Sequence, residues 1–300
     1  MFDVSSVPLH IAGKVIANEP MSRHTSYRIG GPADLYAVPE NVSELQALLK
    51  WALKADVPVF ILGAGSNLLV SDKGIRGLVI KLDHGFDKIH VLGERAIAGG
   101  AVRLPVLVKR MVEESLSGLE GIAGIPGTVG GAVCMNAGTP FGCIGSALKS
   151  VRILDENADL RELPAEALEL KYRESCVPQC RWIVVEATFE MHRGIPEKMR
   201  SEIEHILSKR KAAQPVECLT AGSVFKNPGD KFAGELLEKV GAKGMRIGDA
   251  RVSEKHANFI ENMGHATASN VRELVVSLQQ KVKMEFGIDL EPEIAFVGEW

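Results

Sequence analysis

Five glycines recur at every third position in one short stretch of the chain, Gly118, Gly121, Gly124, Gly127 and Gly130, within GLEGIAGIPGTVGGAVCMNAG, and Gly131 and Gly138 extend the run. Collagen demands a glycine at every third residue, but a few triplets with a single proline do not build a triple helix. The remaining reading is a backbone pressed against something flat or bulky, where a Cβ would not fit. Glycine makes up 30 of the 300 residues, above the usual proportion of about 7%, and the excess is clustered. A second cluster, Gly63-Ala64-Gly65-Ser66-Asn67, interrupts an apolar run.

The rest of the composition excludes several classes. A length of 300 residues allows about two domains and a substantial core. With 46% hydrophobic and 24% charged residues the chain has an ordinary folded, soluble composition, against disorder or a coiled coil. A net charge of −3, with no basic run, argues against a nucleic-acid partner. No apolar stretch approaches the ~18 residues of a membrane span, and MFDVSSVPLH lacks both a cationic start and an apolar h-region, so the cytoplasm is the expected location. The five cysteines, Cys134, Cys143, Cys176, Cys180 and Cys218, form no CxxC pair, so reduced thiols and no metal site are expected. Nothing in the sequence points to a protein partner.

Periodicity places the motifs. Asn41 and Glu44 resemble a capping box ahead of a helix with Val42, Leu45, Leu48, Leu49 and Ala52 on one face. VPVFIL follows as a buried strand, breaks at the Gly63–Asn67 turn and resumes at Leu68-Leu69-Val70. A second helix is expected from Leu104 to Leu116, with Gly118 as its stop. VRIL and WIVVEATFEM read as neighbouring strands, separated by the polar Tyr172-Arg173-Glu174-Ser175. A long helix from Pro196 towards Pro215, with Met199, Ile203, Ile206 and Leu207 in phase, opens a separate C-terminal region. That region holds a short helix stopped by Gly241, a helix from about Asn270 to Phe286 stopped by Gly287, and a closing strand, DLEPEIAFVG.

Neither familiar phosphate motif fits the first glycine turn. The dinucleotide fingerprint needs glycine where Leu68 stands and a helix afterwards, and no Walker GK[ST] is present. What survives is a side-chain-free turn whose successive N–H groups, with the Ser66 hydroxyl and the Asn67 amide, suit a pyrophosphate. A tight structural turn is the competing reading. The second glycine stretch, ending in Asn136, suggests two loops closing on one large ligand.

In order along the chain, Tyr27-Arg28-Ile29-Gly30-Gly31-Pro32-Ala33, ILGAGSNLLVSD, GIPGTVGGAVCMNAG, Tyr172-Arg173-Glu174-Ser175, AGSVFKNP and GDARVSEKHANFIEN resemble the successive motifs of the UDP-N-acetylenolpyruvoylglucosamine reductase family, from about Thr25 to Gly298. The resemblance implies an α+β chain with an FAD-binding fold of the vanillyl-alcohol-oxidase type. Its parts would be FAD subdomains over 1–82 and 83–195 and a UDP-sugar domain over 196–300. It implies NADPH as reductant, UDP-N-acetylglucosamine enolpyruvate as substrate and a place in peptidoglycan precursor synthesis. FAD contacts carry over onto Gly63, Ala64, Gly65, Ser66 and Asn67, onto Gly124, Ile125, Pro126, Gly127, Thr128, Gly130 and Gly131, and onto Asn136, Ala137 and Gly138. Tyr27 and Arg28 are included with them, a solvated strand end being the alternative.

The family reaction adds hydride to an alkene carbon beyond a carboxylate, so charge develops as an enediolate and one proton must be delivered. The motif places the proton donor at Ser223, with Arg173 and Glu293 stabilising the charge. A hydroxyl suffices because the carbanionic centre is strongly basic. If the Ser223 stretch is extended, Ser223, Phe225 and Asn227 share one face and Lys226 the other, so Lys226 is not assumed to activate Ser223. Lys226, Asn227, Lys255, His256 and Asn258 are the expected substrate contacts. Periodicity does not choose between Glu293 and Glu291, which share a face; only the motif does. The short interval between Tyr172 and Ser223 leaves no room for the tyrosine-bearing insertion of the longer subclass, so the chain is similar to the short one. An FAD-dependent oxidase of a small alcohol on the same fold, and a non-enzymatic nucleotide-binding module, are the rivals.

Overall fold

The computed structural model describes Val7 and residues 15–300 of the chain. Most of MFDVSSVPLH, on which the absence of a leader was read, lies outside the described residues. Residue contacts divide the chain into two units, and both are discontinuous. The first comprises 1–17, 35–64 and 77–209; the second comprises 18–34, 65–76 and 210–300. The division falls inside the long helix, after Lys209, rather than at its start, and two short pieces of the first third belong with the C-terminal region.

The first unit contains a five-stranded antiparallel sheet in the order Leu160–Pro164, Leu148–Leu154, Ile183–Glu190, Arg95–Gly99, Ile89–Leu92. The two strands read as neighbours pair directly, Val151 opposite Ala187. Helices Leu104–Glu113 and Val129–Cys134 pack here around Leu107, Val133, Val151 and Phe189, all fully buried. A parallel pair, Val59–Leu62 beside Ile75–Lys81, sits against helix Val42–Lys54. That helix begins as expected: Asn41 Oδ1 accepts the Glu44 N–H at 3.0 Å, and Leu45, Leu48, Leu49 and Ala52 are its buried face. The Glu44 carboxylate reaches back to the N–H of Glu40 at 2.9 Å, one residue before the cap.

The second helix departs from its expected end. It stops at Glu113, and Ser115 takes the left-handed conformation at φ +56°, so Leu116–Ser117 is free to form a short strand. Gly118 follows that strand at φ +134° and is not the helix stop. Propensity favours glycine at such a cap, but here the pairing of Leu116 with Arg193 decides where the helix ends.

The second unit builds its core from Tyr27, Leu69, Phe225, Leu237, Ile260 and Leu274. Helices Ala233–Lys239 and Ala268–Phe286 lie on this core, the second opened by a Thr267–Asn270 capping box and closed by Gly287 at φ +67°. A three-stranded antiparallel sheet, Arg246–Ile247, Ala250–Val252 and Ile260–Asn262, and a parallel pair, Leu68–Val70 with Ala295–Val297, complete it. The closing strand is thus shorter than DLEPEIAFVG. No helix among the described residues is long and apolar enough to cross a membrane.

Candidate active site

In the first unit Gly63, which opens the first glycine cluster, meets the second. A Cβ on Gly63 would lie 2.7 Å from Thr128 Oγ1, so only glycine lets the end of strand Val59–Leu62 approach the second glycine stretch. Thr128 caps the short helix Val129–Cys134, its Oγ1 accepting the Gly131 N–H at 3.4 Å. The N–H groups of Val129 and Gly130 go to the carbonyls of Val102 and Gly100, each at 2.9 Å, which fixes this helix start on the sheet.

Part of the three-residue glycine spacing therefore answers to the protein's own backbone. A Cβ on Gly121 would press on the Phe141 carbonyl at 2.5 Å, and one on Gly130 would lie 3.1 Å from the Gly100 carbonyl. Gly131 is different: it is exposed, and a Cβ there would meet only Thr128 Oγ1, at 3.5 Å. Packing does not require glycine at that position, and the bare backbone it leaves suits a ligand. Within the first cluster, neither Ala64 nor Gly65 gives its main-chain N–H to a hydrogen bond among the described residues, and Gly65 is buried at φ +64°. A buried donor without a partner is uncommon and calls for an acceptor such as a phosphate oxygen. These residues fit a flavin dinucleotide.

The same glycine stretch carries Arg173. Lys171 and Glu174 close a tight turn by exchanging main-chain bonds of 3.0 and 3.3 Å, with Arg173 between them at φ +58°. A non-glycine residue there costs on the order of 1 kcal/mol, and such strain persists where the surroundings over-determine it. Here the Asn136 Nδ2 donates to Lys171 O at 2.9 Å, Ser175 Oγ donates to Cys134 O at 2.7 Å, and Arg173 Nη2 donates to Gly138 O at 2.7 Å. The guanidinium also sits 5.0 Å from the Tyr172 ring centroid. The Asn136 Oδ1 accepts the Gly145 N–H at 3.2 Å, so both ends of its amide bind within the protein and it acts as a strut beneath the Arg173 turn.

In the second unit Ser223 lies on an irregular segment rather than an alternating strand. Val224 and Phe225 are both buried, at 1% exposure, so strand alternation does not describe the placement of Lys226. Asn258 fixes the segment: its Oδ1 accepts the Phe225 N–H at 2.9 Å, its Nδ2 donates to the Phe225 carbonyl at 2.8 Å, and its own carbonyl accepts the Val224 N–H at 2.8 Å. On the other side Glu293 donates its N–H to the Val224 carbonyl at 2.7 Å, and Lys226 donates its own to Glu291 O at 2.9 Å. Ser223 and Glu293 are thereby carried on hydrogen-bonded neighbouring segments. Asn67 joins them, its Nδ2 donating to the Glu293 carbonyl at 3.0 Å.

Glu291, the rival of Glu293, is exposed and takes Lys226 Nζ at 2.7 Å, whereas Glu293 is half-buried. Asn227 Oδ1 accepts the Ala233 N–H at 3.0 Å at the head of a helix, and Lys255 Nζ donates to the Lys211 carbonyl. His256 lies edge-on to Phe259, and its Nδ1 accepts the Asn258 N–H at 3.2 Å. Burial, helped by the Lys243 charge, holds its pKa below the ordinary histidine value, so the ring is neutral at pH 7.

Tyr27 is fully buried, at 0% exposure, and is not a solvated strand end. Its hydroxyl is buried facing the Thr220 hydroxyl, and neither has a well-aligned hydrogen bond among the described residues. Desolvation pushes the phenol pKa up despite those neighbours. Arg28, by contrast, is exposed, at φ +54°. Sequence reasoning passed over Ser26, whose N–H donates to the Gly65 carbonyl at 3.0 Å and whose Oγ donates to the Thr220 carbonyl at 2.7 Å. That hydroxyl ties the glycine turn to the segment leading into Ser223. Among the described residues no group of three or more His, Cys, Asp or Glu side chains is gathered to hold a metal ion.

The glycine cradle in the first unit coincides with a match to a family model, "FAD binding domain", over residues 33–163. The chain is an α+β protein with the FAD-binding fold of the vanillyl-alcohol-oxidase type. The 6-hydroxy-D-nicotine oxidase of Arthrobacter nicotinovorans, 18% identical, shares the fold over 62% of this chain and 43% of its own, with a TM-score of 0.50. Residues 214–297, which carry Ser223 and Glu293, match "UDP-N-acetylenolpyruvoylglucosamine reductase, C-terminal domain". Relatives of that name from Moorella thermoacetica, 46% identical over 95% of this chain and 94% of theirs, and from Caldanaerobacter subterraneus, 43% identical over 96% and 95%, are similar throughout. The crystal structure of the reductase from Thermus caldophilus, 35% identical, superposes with a TM-score of 0.82 over 94% of this chain and 98% of its own. The chain belongs to the UDP-N-acetylenolpyruvoylglucosamine reductase family.

Proposed function

We propose that the chain uses NADPH to reduce the enolpyruvyl ether of UDP-N-acetylglucosamine enolpyruvate, giving UDP-N-acetylmuramate for peptidoglycan in the cytoplasm. One observation carries the assignment of roles: Ser223 and Glu293 are held on adjoining segments by the Glu293 N–H to Val224 carbonyl bond. FAD, when bound, supplies the two-electron chemistry that links the nicotinamide to the alkene. Gly63, Ala64, Gly65, Ser66 and Asn67, with Gly124 to Gly131 and the main chain of Asn136 to Gly138, are the residues assigned to hold it.

Ser223 Oγ delivers the proton to the carbon next to the substrate carboxylate. Position rather than acidity makes it competent, and the five hydrogen bonds made by the main chain of Val224, Phe225 and Lys226 supply that position. Glu293 donates or shares a hydrogen bond at the developing enediolate. Arg173 contributes fixed charge to the enediolate, with one arm of its fork anchored on the Gly138 carbonyl. Lys226, Asn227, Lys255 and neutral His256 are assigned to the UDP-sugar, and Asn258 to positioning Ser223. Residues 1–82 and 83–195 are assigned to the cofactor and 196–300 to the sugar nucleotide.

An absorbance record of the purified protein tests this in one cuvette. The flavin band should bleach with anaerobic NADPH and return on adding the enolpyruvyl substrate. Colour restored by oxygen alone would favour an oxidase, and failure to retain added FAD would remove the cofactor assignment.

A further inference from the structure

Cys176 and Cys180 sit on the turn that directly follows Arg173, in a C-V-P-Q-C spacing that matches no zinc or oxidoreductase pattern. The main chain closes one i to i+4 turn there: Cys180 donates its N–H to the Cys176 carbonyl at 2.9 Å. A helical rise of about 1.5 Å per residue puts the two Cα atoms about 6 Å apart, inside the range of about 4.4–6.8 Å that a disulfide spans. Both cysteines are half-buried, and the i to i+4 spacing puts their side chains on one side of the turn. For Cys134, in the neighbouring glycine stretch, desolvation pushes the thiol up to about 12, which leaves little reactive thiolate.

We infer that Cys176 and Cys180 are a disulfide-forming pair, oxidised by hydrogen peroxide, and that closing the bond disturbs the turn that holds Arg173. The sulfur of Cys180 takes one peroxide oxygen, the O–O bond breaks and water leaves, giving a sulfenic acid. Cys176 then loses its proton and attacks that sulfur, expelling the oxygen as a second water. Two thiols and one peroxide thus become one disulfide and two waters.

The mechanical link to Arg173 is short. The Cys176 thiol donates to the Ala167 carbonyl at 3.3 Å and its N–H to Leu168 O at 2.9 Å, while Ser175 holds Cys134. Turning the Cys176 sulfur towards Cys180 removes the first of these bonds and pulls on the turn in which Arg173 is already strained at φ +58°. The effect on rate rests on the reductase reading; the bond itself does not.

Trypsin provides the test, because cleavage after Arg173 and Arg181 releases both cysteines in one peptide, Glu174 to Arg181. The holoenzyme is treated with hydrogen peroxide, alkylated without reductant and digested. The expected peptide is unalkylated and two hydrogens lighter than its reduced form, and neither Cys176→Ser nor Cys180→Ser yields it. Flavin reoxidation by the enolpyruvyl substrate should fall severalfold in the oxidised wild type and recover with dithiothreitol, while both serine variants keep their untreated rates. Recovery of both cysteines alkylated, or as sulfinic acids, overturns the pair; a disulfide that leaves reoxidation unchanged overturns its coupling to Arg173. Absence of turnover in the untreated, reduced enzyme would instead strike the reductase reading and leave the peptide result to stand alone.

Discussion

Replacing Asn258 by alanine tests whether the proton donor's segment is held as described. In the wild type the Asn258 amide satisfies both the N–H and the carbonyl of Phe225, at 2.9 and 2.8 Å, in a residue only 1% exposed. Alanine leaves two buried main-chain groups unpaired, each at about 1–3 kcal/mol, so a loss of about 3 kcal/mol is expected if water enters to satisfy one of them. The bond from the Val224 N–H to the residue-258 carbonyl survives, because it is main chain, and keeps the segment tethered at one point. The variant should therefore fold, with its melting temperature lowered by about 6–12 °C. Ser223 gains freedom, so flavin reduction by NADPH stays near wild type while reoxidation by the enolpyruvyl substrate slows by about tenfold or more. Thermal unfolding followed by circular dichroism gives the first quantity, and stopped-flow absorbance the second. A melting temperature within about 1 °C of wild type, with wild-type reoxidation, would show that Asn258 neither supports Phe225 nor positions Ser223.

Four further outcomes are expected. Ser223→Ala should leave NADPH reduction of the flavin intact and slow reoxidation by about 10²-fold or more, and equal losses in both phases would make Ser223 a structural residue. Arg173→Lys should slow reoxidation as well, because an ammonium cannot both grip the Gly138 carbonyl and present a fork; single-turnover rates equal to wild type would refute the role. Gly63→Ala drives a Cβ to 2.7 Å from Thr128 Oγ1 and should weaken FAD retention by about tenfold, the overpacking being on the order of 1–3 kcal/mol; Thr128→Ala in the same chain should restore part of it, and titration of the apoprotein with FAD would expose a pair that merely adds. His256 is held neutral, with its folded pKa depressed by burial. The stability it contributes is full above the unfolded value near 6.5 and is lost as pH falls through that value towards the folded one, while His256→Phe should flatten that slope in a denaturation series over pH.

The parts of this protein legible in sequence were those with local causes. Asn41 and Glu44 announce a helix because the cap and the apolar face lie within one turn of each other, and Gly287 ends the last helix because only three residues need agree. Ser115 defeated the same logic, since the strand pairing with Arg193 is decided by residues far away in sequence. In the site, the glycine clusters were visible as composition, but which glycines serve packing and which leave bare backbone emerges only when Gly130 is seen against Gly100 and Gly131 against no more than the Thr128 hydroxyl. Ser26 gave no signal at all: an ordinary serine acquires its role by reaching Thr220, 194 positions away. Tyr27 gave no sign of its burial for a related reason: the partners in the core of the second unit that cover it lie far along the chain.

The discontinuity of the second unit bears on the order in which the chain matures during synthesis. Tyr27 and Leu69 emerge from the ribosome early, yet the partners that bury them, Phe225, Ile260 and Leu274, are among the last residues made. Until then two apolar stretches of the nascent polypeptide have no native place to go, while most of the first unit has already been translated. Such long-range closure is slow and leaves greasy surface open to solvent for the whole interval. A truncation after Lys209 would therefore release no self-sufficient flavin module, but a chain carrying two orphaned hydrophobic segments and a predisposition to aggregate.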